Sequence, residues 1–338
     1  MTTIRQVAQR VGVSPSTVSR VLTGASPVAP PYRDRVLRAA AELGYRPNRL
    51  ASRLRRKTSE TVGVVVSAIE NPHYTQMVRT VENVAYQEGF RVLLCNTDEA
   101  SEKQEAYLDV LTAERVGGVI LVPSDPASAL IGDVLDMGIP LVAFDRMVVD
   151  PRADAVLADN ADGTRRATKH LLEAGHERIG FVSGLPGIQT GAERLGGYEA
   201  AMREHNLDPL SAFRGFRIDQ AGPATERLLD ADRGISALIV ANNLMTIGAL
   251  RAVRQRGMGV PEDLSLVAID DPPWAVLVDP PLTVLAQPVH RMAERAADLL
   301  FERIKGSRAQ ASRVVFPFEL RVRGSCGSRA SPPDSTPR

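Results

Sequence analysis

The sequence of 338 residues is poor in cysteine and in aromatic residues, and it has no long apolar segment. Its two cysteines, Cys95 and Cys326, lie far apart without CxxC or Cys/His spacing, which favours two reduced thiols over a disulfide or a metal site. No run of about eighteen apolar residues is present, so no membrane-spanning helix is predicted. The first residues, MTTIRQVAQR, are not followed by the apolar segment that comes after the basic start of a secretory signal peptide. The sequence therefore predicts no secretory signal and a cytoplasmic location.

Sequence signatures of catalysis and of cofactor binding are missing as well. The sequence has no GxGxxG after a strand, no GxxxxGK(S/T), no GxSxG and no HExxH. Its five histidines do not have metal-ligand spacing, and no nucleophile–base pair is legible. The sequence therefore predicts a protein that is not an enzyme and that uses neither a cofactor nor a metal.

Positive charge is concentrated at the N-terminus. Residues 1–60 contain 12 lysines and arginines against 3 acidic residues, whereas the rest of the chain contains 29 against 37. A basic segment joined to an acidic body is typical of a polyanion-binding module attached to a separate globular domain. Charge alone does not distinguish such a module from a solvated basic surface, so the residue pattern has to decide.

Residues 1–46 have the pattern of three short helices. Apolar residues recur at helical spacing over 4–11, with Thr3 and Gln6 in position for a capping box. A turn at a glycine follows. Ser14 is then the predicted N-cap of a second helix, and the proline that comes directly after it is the first helical residue. A third amphipathic helix completes the predicted core. Two short helices joined by a tight turn form a helix-turn-helix, whose second helix presents its N-terminal side chains to base edges in a DNA major groove.

The outer face of the second helix suits DNA recognition. Hydroxyl groups donate and accept near phosphates and bases, and a helix N-terminus favours an anion. A guanidinium group has the bidentate geometry for a guanine edge. The side chains predicted to face outward are those of Pro15, Ser16, Ser19 and Arg20.

Residues 47–60 are basic and contain a short helical pattern. Asn48 can cap this helix, and Leu50 and Leu54 lie one turn apart on it. So short a helix is marginal in water, so we expect it to order on a partner, with a leucine inserted between base steps from the minor groove. A flexible basic linker is the alternative interpretation.

From residue 61 onward, β-rich segments alternate with amphipathic helical segments. This alternation predicts an α/β core of two lobes, each a doubly wound parallel sheet. Each lobe contains a segment with the same order of Met-Gly, an apolar residue, Pro, a predicted strand and Asp, namely MGIPLVAFD and MGVPEDLSLVAID. Lobe one is predicted to comprise about 61–158 and 289–316, lobe two about 159–288 and 317–326, and residues 327–338 a disordered tail.

Polar residues that follow the predicted strands mark a ligand site in the cleft between the lobes. A ligand of an open parallel sheet lies beyond the carboxyl ends of the strands. Carboxylates, amides and an arginine beside an aromatic wall suit a ring that bears several hydroxyls, although an aspartate after a strand also caps turns. The candidates are Ser67, Asn71, His73, Tyr74 and Asp145 in lobe one, and Arg194, Asn242, Asn243, Asp270, Asp271 and Trp274 in lobe two.

These segments resemble the lactose-repressor (LacI) family of bacterial transcription regulators. The resemblance is carried by TIRQVAQRVGVSPSTVSRVL and ELGYRPNRLASRLR near the N-terminus, and by AERLGGY, ANNLMTIGALRA and DDPPWAVLVDPPLTVLAQP in the body, and it runs to RVRGSC at 321–326. It implies an all-α helix-turn-helix head and a core like that of periplasmic binding proteins. It also implies a homodimer on a near-palindromic double-stranded DNA operator.

The resemblance implies roles for individual residues. In the DNA-binding segment it places Pro15, Ser16 and Arg20 at base edges, Thr3, Ser14, Thr17 and Ser19 near phosphates, and Ala51 and Leu54 in the minor groove. In the core it places Arg194, Asn242 and Asp270 at the effector, joined by Asp145 and Gln287. The departures from the family pattern are Thr23 for asparagine, Asn243 for aspartate and His73 for an aromatic residue.

A further departure lies in FRGFRID, where Arg217, next to Phe216, stands at a position that often holds an aromatic residue. Together with Arg194, this arginine would admit an anionic sugar. The predicted function is a transcriptional repressor that a small sugar releases from its operator. The alternatives are a corepressor-dependent regulator that responds to a nucleobase or another metabolite, a sugar receptor that does not bind DNA, and an enzyme. The C-terminal tail has no leucine heptad, which predicts a dimer rather than a tetramer.

Overall fold

The computed structural model forms two compact units, Met1–Ser59 and Glu60–Arg338. The predicted hinge residues Asn48, Ala51 and Leu54 lie outside the described residues. Among the helices that the structure describes, none has the length and apolar character needed to span a membrane. The described residues are 2–23, 29–45, 59–213, 215–307 and 310–329.

The N-terminal unit contains three helices that surround a small apolar core. The turn between the first two is made by Gly12 in the left-handed conformation, with φ 75°, which glycine adopts without steric cost. The predicted capping box is present, since Gln6 Oε1 accepts from the backbone N–H of Thr3 at 2.8 Å. The helices are α1 (Ile4–Val11), α2 (Pro15–Thr23) and α3 (Pro30–Glu42). Their buried residues are Val7, Ala8, Val11, Val18, Val36, Ala39 and Ala40.

Lobe one is built on a six-stranded sheet of order β11-β5-β4-β3-β1-β2, and every strand pair in it is parallel. Helices lie against this sheet, which explains why β1, β3, β4 and β5 are buried along most of their length. The strands are β1 (Thr61–Val66), β2 (Arg91–Asn96), β3 (Val119–Leu121), β4 (Leu141–Phe144), β5 (Asp154–Ala158) and β11 (Arg313–Phe316). The helices are α4 (Pro72–Gln87), α5 (Ser101–Ala113), α6 (Ala129–Asp136) and α11 (Val289–Ile304).

Lobe two is built on a second six-stranded sheet, of order β12-β10-β9-β8-β6-β7. The predicted doubly wound parallel sheet is confirmed, with one antiparallel edge strand, since β12 runs antiparallel to β10; such an edge strand is common on mostly parallel sheets. The strands are β6 (Ile179–Ser183), β7 (Leu210–Phe213), β8 (Ala237–Val240), β9 (Ser265–Ile269), β10 (Thr283–Ala286) and β12 (Glu319–Arg321). The helices are α7 (Asn160–Glu173), α8 (Gln189–Glu204), α9 (Ile218–Ala231) and α10 (Asn243–Gln255), with a 3-10 turn at Pro273–Val276.

Residues 327–329, which the sequence analysis assigned to the tail, are held against lobe two. The N–H of Gly327 donates to Ser265 Oγ at 2.9 Å, and the N–H of Arg329 donates to the carbonyl of Ala174 at 2.7 Å. The carbonyl of Gly327 lies 3.0 Å from Nε2 of the buried His176. Lobe two therefore extends to residue 329 rather than ending at 326.

Candidate functional site

Asp145 and Asp270 occupy equivalent positions at the carboxyl ends of β4 and β9. Each directly follows its strand and has a left-handed backbone, with φ 65° and 74°, a conformation that aspartate tolerates better than most residues. Each donates its N–H to the next strand, Asp145 to the carbonyl of Val156 and Asp270 to that of Leu285, both at 2.9 Å. The sequence echo between the lobes is thus a structural repeat, and it places one carboxylate from each lobe at the same cavity.

This cavity, which we call the inner pocket, has a volume of about 30 Å³. That is room for only a few water molecules, so the lobes or the lining side chains have to move before a ring-shaped ligand can enter. Of the predicted site residues, those that line the inner pocket are Asn71, His73, Tyr74, Asp145, Arg194, Asn242, Asp270 and Gln287. The other lining residues are Ala68, Glu99, Arg146, Thr190 and Phe216.

Tyr74 and Asp145 form a hydrogen-bonded pair on the lobe-one side of the inner pocket. The Tyr74 hydroxyl donates to Asp145 Oδ2 at 2.9 Å. Burial, and then the nearby Asp145 carboxylate, raise the pKa of Tyr74 well above its usual value, so the phenol keeps its proton. The other oxygen, Asp145 Oδ1, is buried and has no hydrogen-bond partner within the described part of the chain. Asp145 therefore has one acceptor left for a ligand hydroxyl.

Arg194 lies opposite, on the lobe-two side, and is almost fully buried. Its Nε donates to Asn160 Oδ1 and its Nη1 to the carbonyl of Ala241, both at 2.7 Å. Asp270 accepts from Gln287 Nε2 at 2.7 Å through Oδ1. These hydrogen bonds fix the guanidinium and the carboxylate in place, so lobe two presents a donor and an acceptor in set positions.

Two asparagines at the start of α10 have different tasks. Asn242 caps the helix, since its Oδ1 accepts from the N–H of Met245 at 2.7 Å. Asn243 reaches across the cleft, where its Nδ2 donates to Asn71 Oδ1 at 2.9 Å between two buried side chains. Since a carboxylate cannot donate, the asparagine that departs from the family pattern at 243 makes this hydrogen bond, which joins the two lobes in the closed arrangement.

His73 lies between the inner pocket and a second cavity of about 240 Å³. It is only 4% exposed, and within the described residues neither ring nitrogen makes a hydrogen bond. Its Nδ1 lies 3.9 Å from Asp270 Oδ1, and its ring packs edge-on against the Tyr74 ring, with 5.1 Å between the ring centroids.

Over the described ranges, no cluster of three His, Cys, Asp or Glu residues could hold a metal ion.

A third cavity, which we call the outer chamber, opens beside the inner pocket and has a volume of about 770 Å³. Ala68, Glu99 and Phe216 line both. Ser67 and Arg217 line the outer chamber but not the inner pocket. The Arg217 side chain is 66% exposed, and its Nε lies 3.4 Å from Asp219 Oδ1. Phe216 is therefore the residue of this segment that faces the inner pocket. Arg194 and Arg217 line different cavities and are not brought together, which leaves the anionic-sugar hypothesis without its geometric basis.

The predicted aromatic wall from Trp274 is not found. Trp274 lies in the 3-10 turn that follows β9 and packs against the hydrophobic core. It lines none of the three cavities described here. Phe216 supplies the aromatic surface of the inner pocket instead.

An ion pair in the wall of the inner pocket, between the buried Arg146 and the partly buried Glu99, was not predicted from the sequence. The Arg146 guanidinium donates to both carboxylate oxygens of Glu99, each at 2.6 Å, and Nη1 also donates to the carbonyl of Pro123 at 3.2 Å. Arg146 follows Asp145 directly, so its position after the strand was the available signal. Such a bidentate pair holds the loops after β2 and β4 together beside Asp145.

Most of the predicted DNA-contacting residues of the head lie on α2 or directly before it, whereas Thr3 lies at the start of α1. Ser14 Oγ accepts from the N–H of Thr17 at 3.2 Å and lies 2.7 Å from Ser16 Oγ. Thr3, Pro15, Ser16 and Arg20 are exposed, while Thr17 and Ser19 are partly buried. The start of α2 therefore offers hydroxyls and a helix N-terminus to a partner, and the last turn of the same helix offers the Arg20 guanidinium.

Comparison with known proteins agrees with both units. Residues 3–48 match the model for bacterial regulatory proteins of the lacI family, and residues 168–326 match the periplasmic binding protein-like domain. The chain is 34% identical to the ribose operon repressor of Halalkalibacterium halodurans, over 96% of each chain. It is 35% identical to the HTH-type transcriptional repressor PurR of Aliivibrio salmonicida, over 90% of this chain and 93% of that one.

Among solved structures, the lac repressor dimer bound to operator and the anti-inducer ONPF superposes with a TM-score of 0.84 at 27% identity. The match covers 97% of this chain and 99% of the lac repressor chain. The fold, the helix-turn-helix and the relatives of similar length agree with one another. The chain therefore belongs to the lacI family of bacterial regulatory proteins, which are DNA-binding transcriptional repressors under the control of small-molecule effectors.

Proposed function

We propose that this protein is a homodimeric repressor that a small neutral sugar releases from a near-palindromic operator, and that it is not an enzyme. The observation that carries the proposal is the pair of equivalent carboxylates, Asp145 and Asp270, which meet Arg194 at one buried pocket. A polyhydroxylated ring offers both donors and acceptors, and this pocket supplies the complementary set. The relative that is named a ribose operon repressor supports a sugar as the effector.

The coupling between effector and operator follows from linkage. Two ligands of one protein change each other's affinity only if each binds the alternative arrangements of that protein with unequal affinity. The closed lobes are joined by the hydrogen bond between Asn71 and Asn243, and the inner pocket is too small for a sugar in this state. The lobes are therefore arranged differently in the occupied cleft and in the empty one. This change of arrangement is what would alter the affinity of the protein for its operator.

The test is operator binding by the full chain in the presence of defined compounds. We expect footprinting to reveal a protected near-palindrome in the DNA upstream of the gene, and D-ribose or another neutral sugar to weaken the protection. Hypoxanthine and guanine test the alternative of a corepressor that is a nucleobase, which the relatives named PurR keep open. Protection that requires a nucleobase, or that no sugar weakens, would refute sugar induction; no protected palindrome would refute the proposal as a whole.

Replacement of Arg20 is expected to weaken specific DNA binding. Because Arg20 is exposed on α2 beside Ser16, Arg20→Ala removes a base-edge contact and should cost about 1–3 kcal/mol on the operator with little loss on random DNA. Fluorescence anisotropy with both duplexes measures the difference. Arg10→Ala is the control, since Arg10 is exposed on α1 and lies 3.8 Å from Glu42. Equal losses on operator and random DNA for Arg20→Ala would assign this arginine to the phosphates.

We propose β2 as part of the dimer interface. It is an edge strand on which Leu93 and Leu94 are 37% and 41% exposed, unlike the buried strands inside the sheet. We infer that a second copy of this chain covers the exposed side of β2, since the lac repressor that this chain resembles was solved as a dimer. Leu94→Glu is expected to raise the dimer dissociation constant at least about tenfold, as measured by analytical ultracentrifugation. Val149→Glu, at a side chain that is 71% exposed in lobe one, should leave it unchanged.

A further inference from the structure

A second hydrogen bond joins the two lobes away from the inner pocket. The backbone N–H of Met147, in the segment that follows β4 in lobe one, donates to Oε1 of Gln189 at 2.7 Å. Gln189 is the first residue of α8 in lobe two. Neither residue lines any of the three cavities. A substitution at Gln189 therefore changes a contact between the lobes without removing a side chain from the wall of a cavity.

Gln189 belongs to a chain of hydrogen bonds that ends at Arg194. Its Nε2 donates to Oε1 of Glu193, one turn further along α8, at 2.7 Å. The other carboxylate oxygen, Glu193 Oε2, accepts from Nδ2 of Asn160 at 2.9 Å. Asn160 Oδ1 in turn accepts from Nε of Arg194 at 2.7 Å. We call the series Met147–Gln189–Glu193–Asn160–Arg194 the hydrogen-bond chain.

The groups at both ends of the hydrogen-bond chain can only donate. The backbone N–H of Met147 and the guanidinium of Arg194 each need an oxygen as partner. A side-chain amide that accepts through its oxygen presents N–H groups to its next neighbour, because its nitrogen only donates. Donors therefore point toward the middle of the chain from both ends, and the group between them has to accept on both sides. The Glu193 carboxylate is that group.

The hydrogen-bond chain therefore needs one carboxylate and only one. If it had none, two N–H groups would face each other at some link whichever way the amides turned, and a hydrogen bond would be lost. If two neighbouring side chains were carboxylates, two negatively charged acceptors would face each other. Because Glu193 holds the nitrogen of the Gln189 amide, the oxygen of this amide is turned toward lobe one.

Burial makes the hydrogen-bond chain costly to break. Asn160 and Arg194 are 1% and 4% exposed, and Gln189 and Glu193 are partly buried. A polar group that loses its partner away from bulk water costs more free energy than the same group at an exposed position. The chain is intact in the closed arrangement, and separation of Met147 from Gln189 removes its first hydrogen bond. The chain therefore stabilises the closed lobes.

We propose that Gln189 is a latch between the lobes, that Glu193 is the positioning residue of this latch, and that the latch raises the sugar concentration needed to release the operator. A ligand for which the lobes have to part binds with an affinity reduced by the fraction of molecules already open. The latch lowers that fraction, so it weakens sugar binding without a contact to the sugar. This effect on the sugar rests on the proposed function, whereas the latch itself does not.

Hydrogen exchange of the Met147 amide, measured on the full chain without ligand, tests the latch. Gln189→Met removes the acceptor and Glu193→Gln removes the carboxylate, so in both variants this amide should exchange about fivefold faster, as for the loss of one hydrogen bond. Mass spectrometry with electron-transfer fragmentation resolves the exchange to single residues. Glu199→Gln is the matched control, since Glu199 also lies on α8 but accepts from Arg203 of the same helix. The Met147 amide should exchange in this control as in the wild type.

A double variant separates the role of Glu193 from a general structural effect. Gln189→Glu combined with Glu193→Gln moves the carboxylate one position along the hydrogen-bond chain. The carboxylate at position 189 then accepts from Met147 on one side and from the amide at position 193 on the other, and the oxygen of that amide accepts from Asn160. Exchange of the Met147 amide should return to within about twofold of the wild-type rate.

Sugar affinity is the second measurement. Gln189→Met leaves the hydrogen bonds among Glu193, Asn160 and Arg194 in place, so it removes the latch alone. We expect this variant to bind D-ribose, or the neutral sugar found to release the operator, about fivefold more tightly in calorimetry. The operator should be half released at a correspondingly lower sugar concentration. Glu199→Gln should bind the sugar as the wild type does.

Each outcome decides a stated part of the proposal. Unchanged exchange of the Met147 amide in Gln189→Met would overturn the latch, and fast exchange in the double variant would overturn the positioning role of Glu193. Faster exchange in Gln189→Met without tighter sugar binding would overturn the effect of the latch on the sugar. Faster exchange in a protein whose operator no sugar releases would support the latch and refute the proposed function together with that effect.

Discussion

Arg194→Met is expected to reduce the affinity for the inducing sugar about 100-fold, or ~3 kcal/mol, and so to yield a repressor that stays on its operator. The guanidinium is 4% exposed and donates to Asn160 Oδ1 and the carbonyl of Ala241. Methionine has a similar length but donates to neither acceptor, and it removes the charged donor that lines the inner pocket together with Asp145 and Asp270. Calorimetry with D-ribose, or with the sugar that releases the operator, measures the loss.

Arg217→Met is the matched control for this variant. Its side chain is 66% exposed and lines only the outer chamber of the two connected cavities, so sugar affinity should stay within about twofold, or ~0.4 kcal/mol. Operator affinity without sugar should be unchanged in both variants, because neither substitution lies in the helix-turn-helix and neither removes the hydrogen bond between Asn71 and Asn243 that joins the lobes. If Arg194→Met bound the sugar normally and was released by it, Arg194 would have only a structural role.

The parts of the fold that follow from local pattern could be predicted from the sequence. The start of α1 followed from a capping residue, and the central strands such as β1 and β9 from continuous apolar runs that only a sheet covered on both faces explains. Strands β5, β7, β10, β11 and β12 were not identified. Three of them, β7, β11 and β12, lie at sheet edges and are only partly buried, so they lack the continuous apolar run that revealed the equally short β3, β4 and β8.

The candidate site divides in the same way. Asp145 and Asp270 were identifiable because each directly follows a strand, and chain connectivity alone sends such residues to the cleft. The pairing of Glu99 with Arg146, and of Asn160 with Arg194, joins residues that are 47 and 34 positions apart in sequence, which no local pattern brings together. The wrong expectation for Trp274 has the same cause, since the direction of a side chain beyond a strand end is set by the turn that carries it.

Gly197→Val is expected to destabilise the core unit by about 3 kcal/mol or more. A Cβ at Gly197 would lie 2.1 Å from the carbonyl oxygen of Ala161, so α8 and α7 approach each other at a point where no side chain fits. The obstacle is backbone, which cannot rotate away, so the two helices would have to separate. Since α7 begins at Asn160, the acceptor of Arg194 Nε, their separation should weaken sugar binding as well as stability.

The neighbouring Gly196 provides the control for this prediction. It lies on the same helix, and a Cβ there would have no neighbour within 4 Å, so Gly196→Val should change the free energy of unfolding by no more than about 0.5 kcal/mol. Urea unfolding followed by the fluorescence of Trp274, the single tryptophan, reports on lobe two in both variants. Equal stability of the two valine variants would mean that the helices can part without cost, and the close approach would then not be what positions Asn160 beneath Arg194.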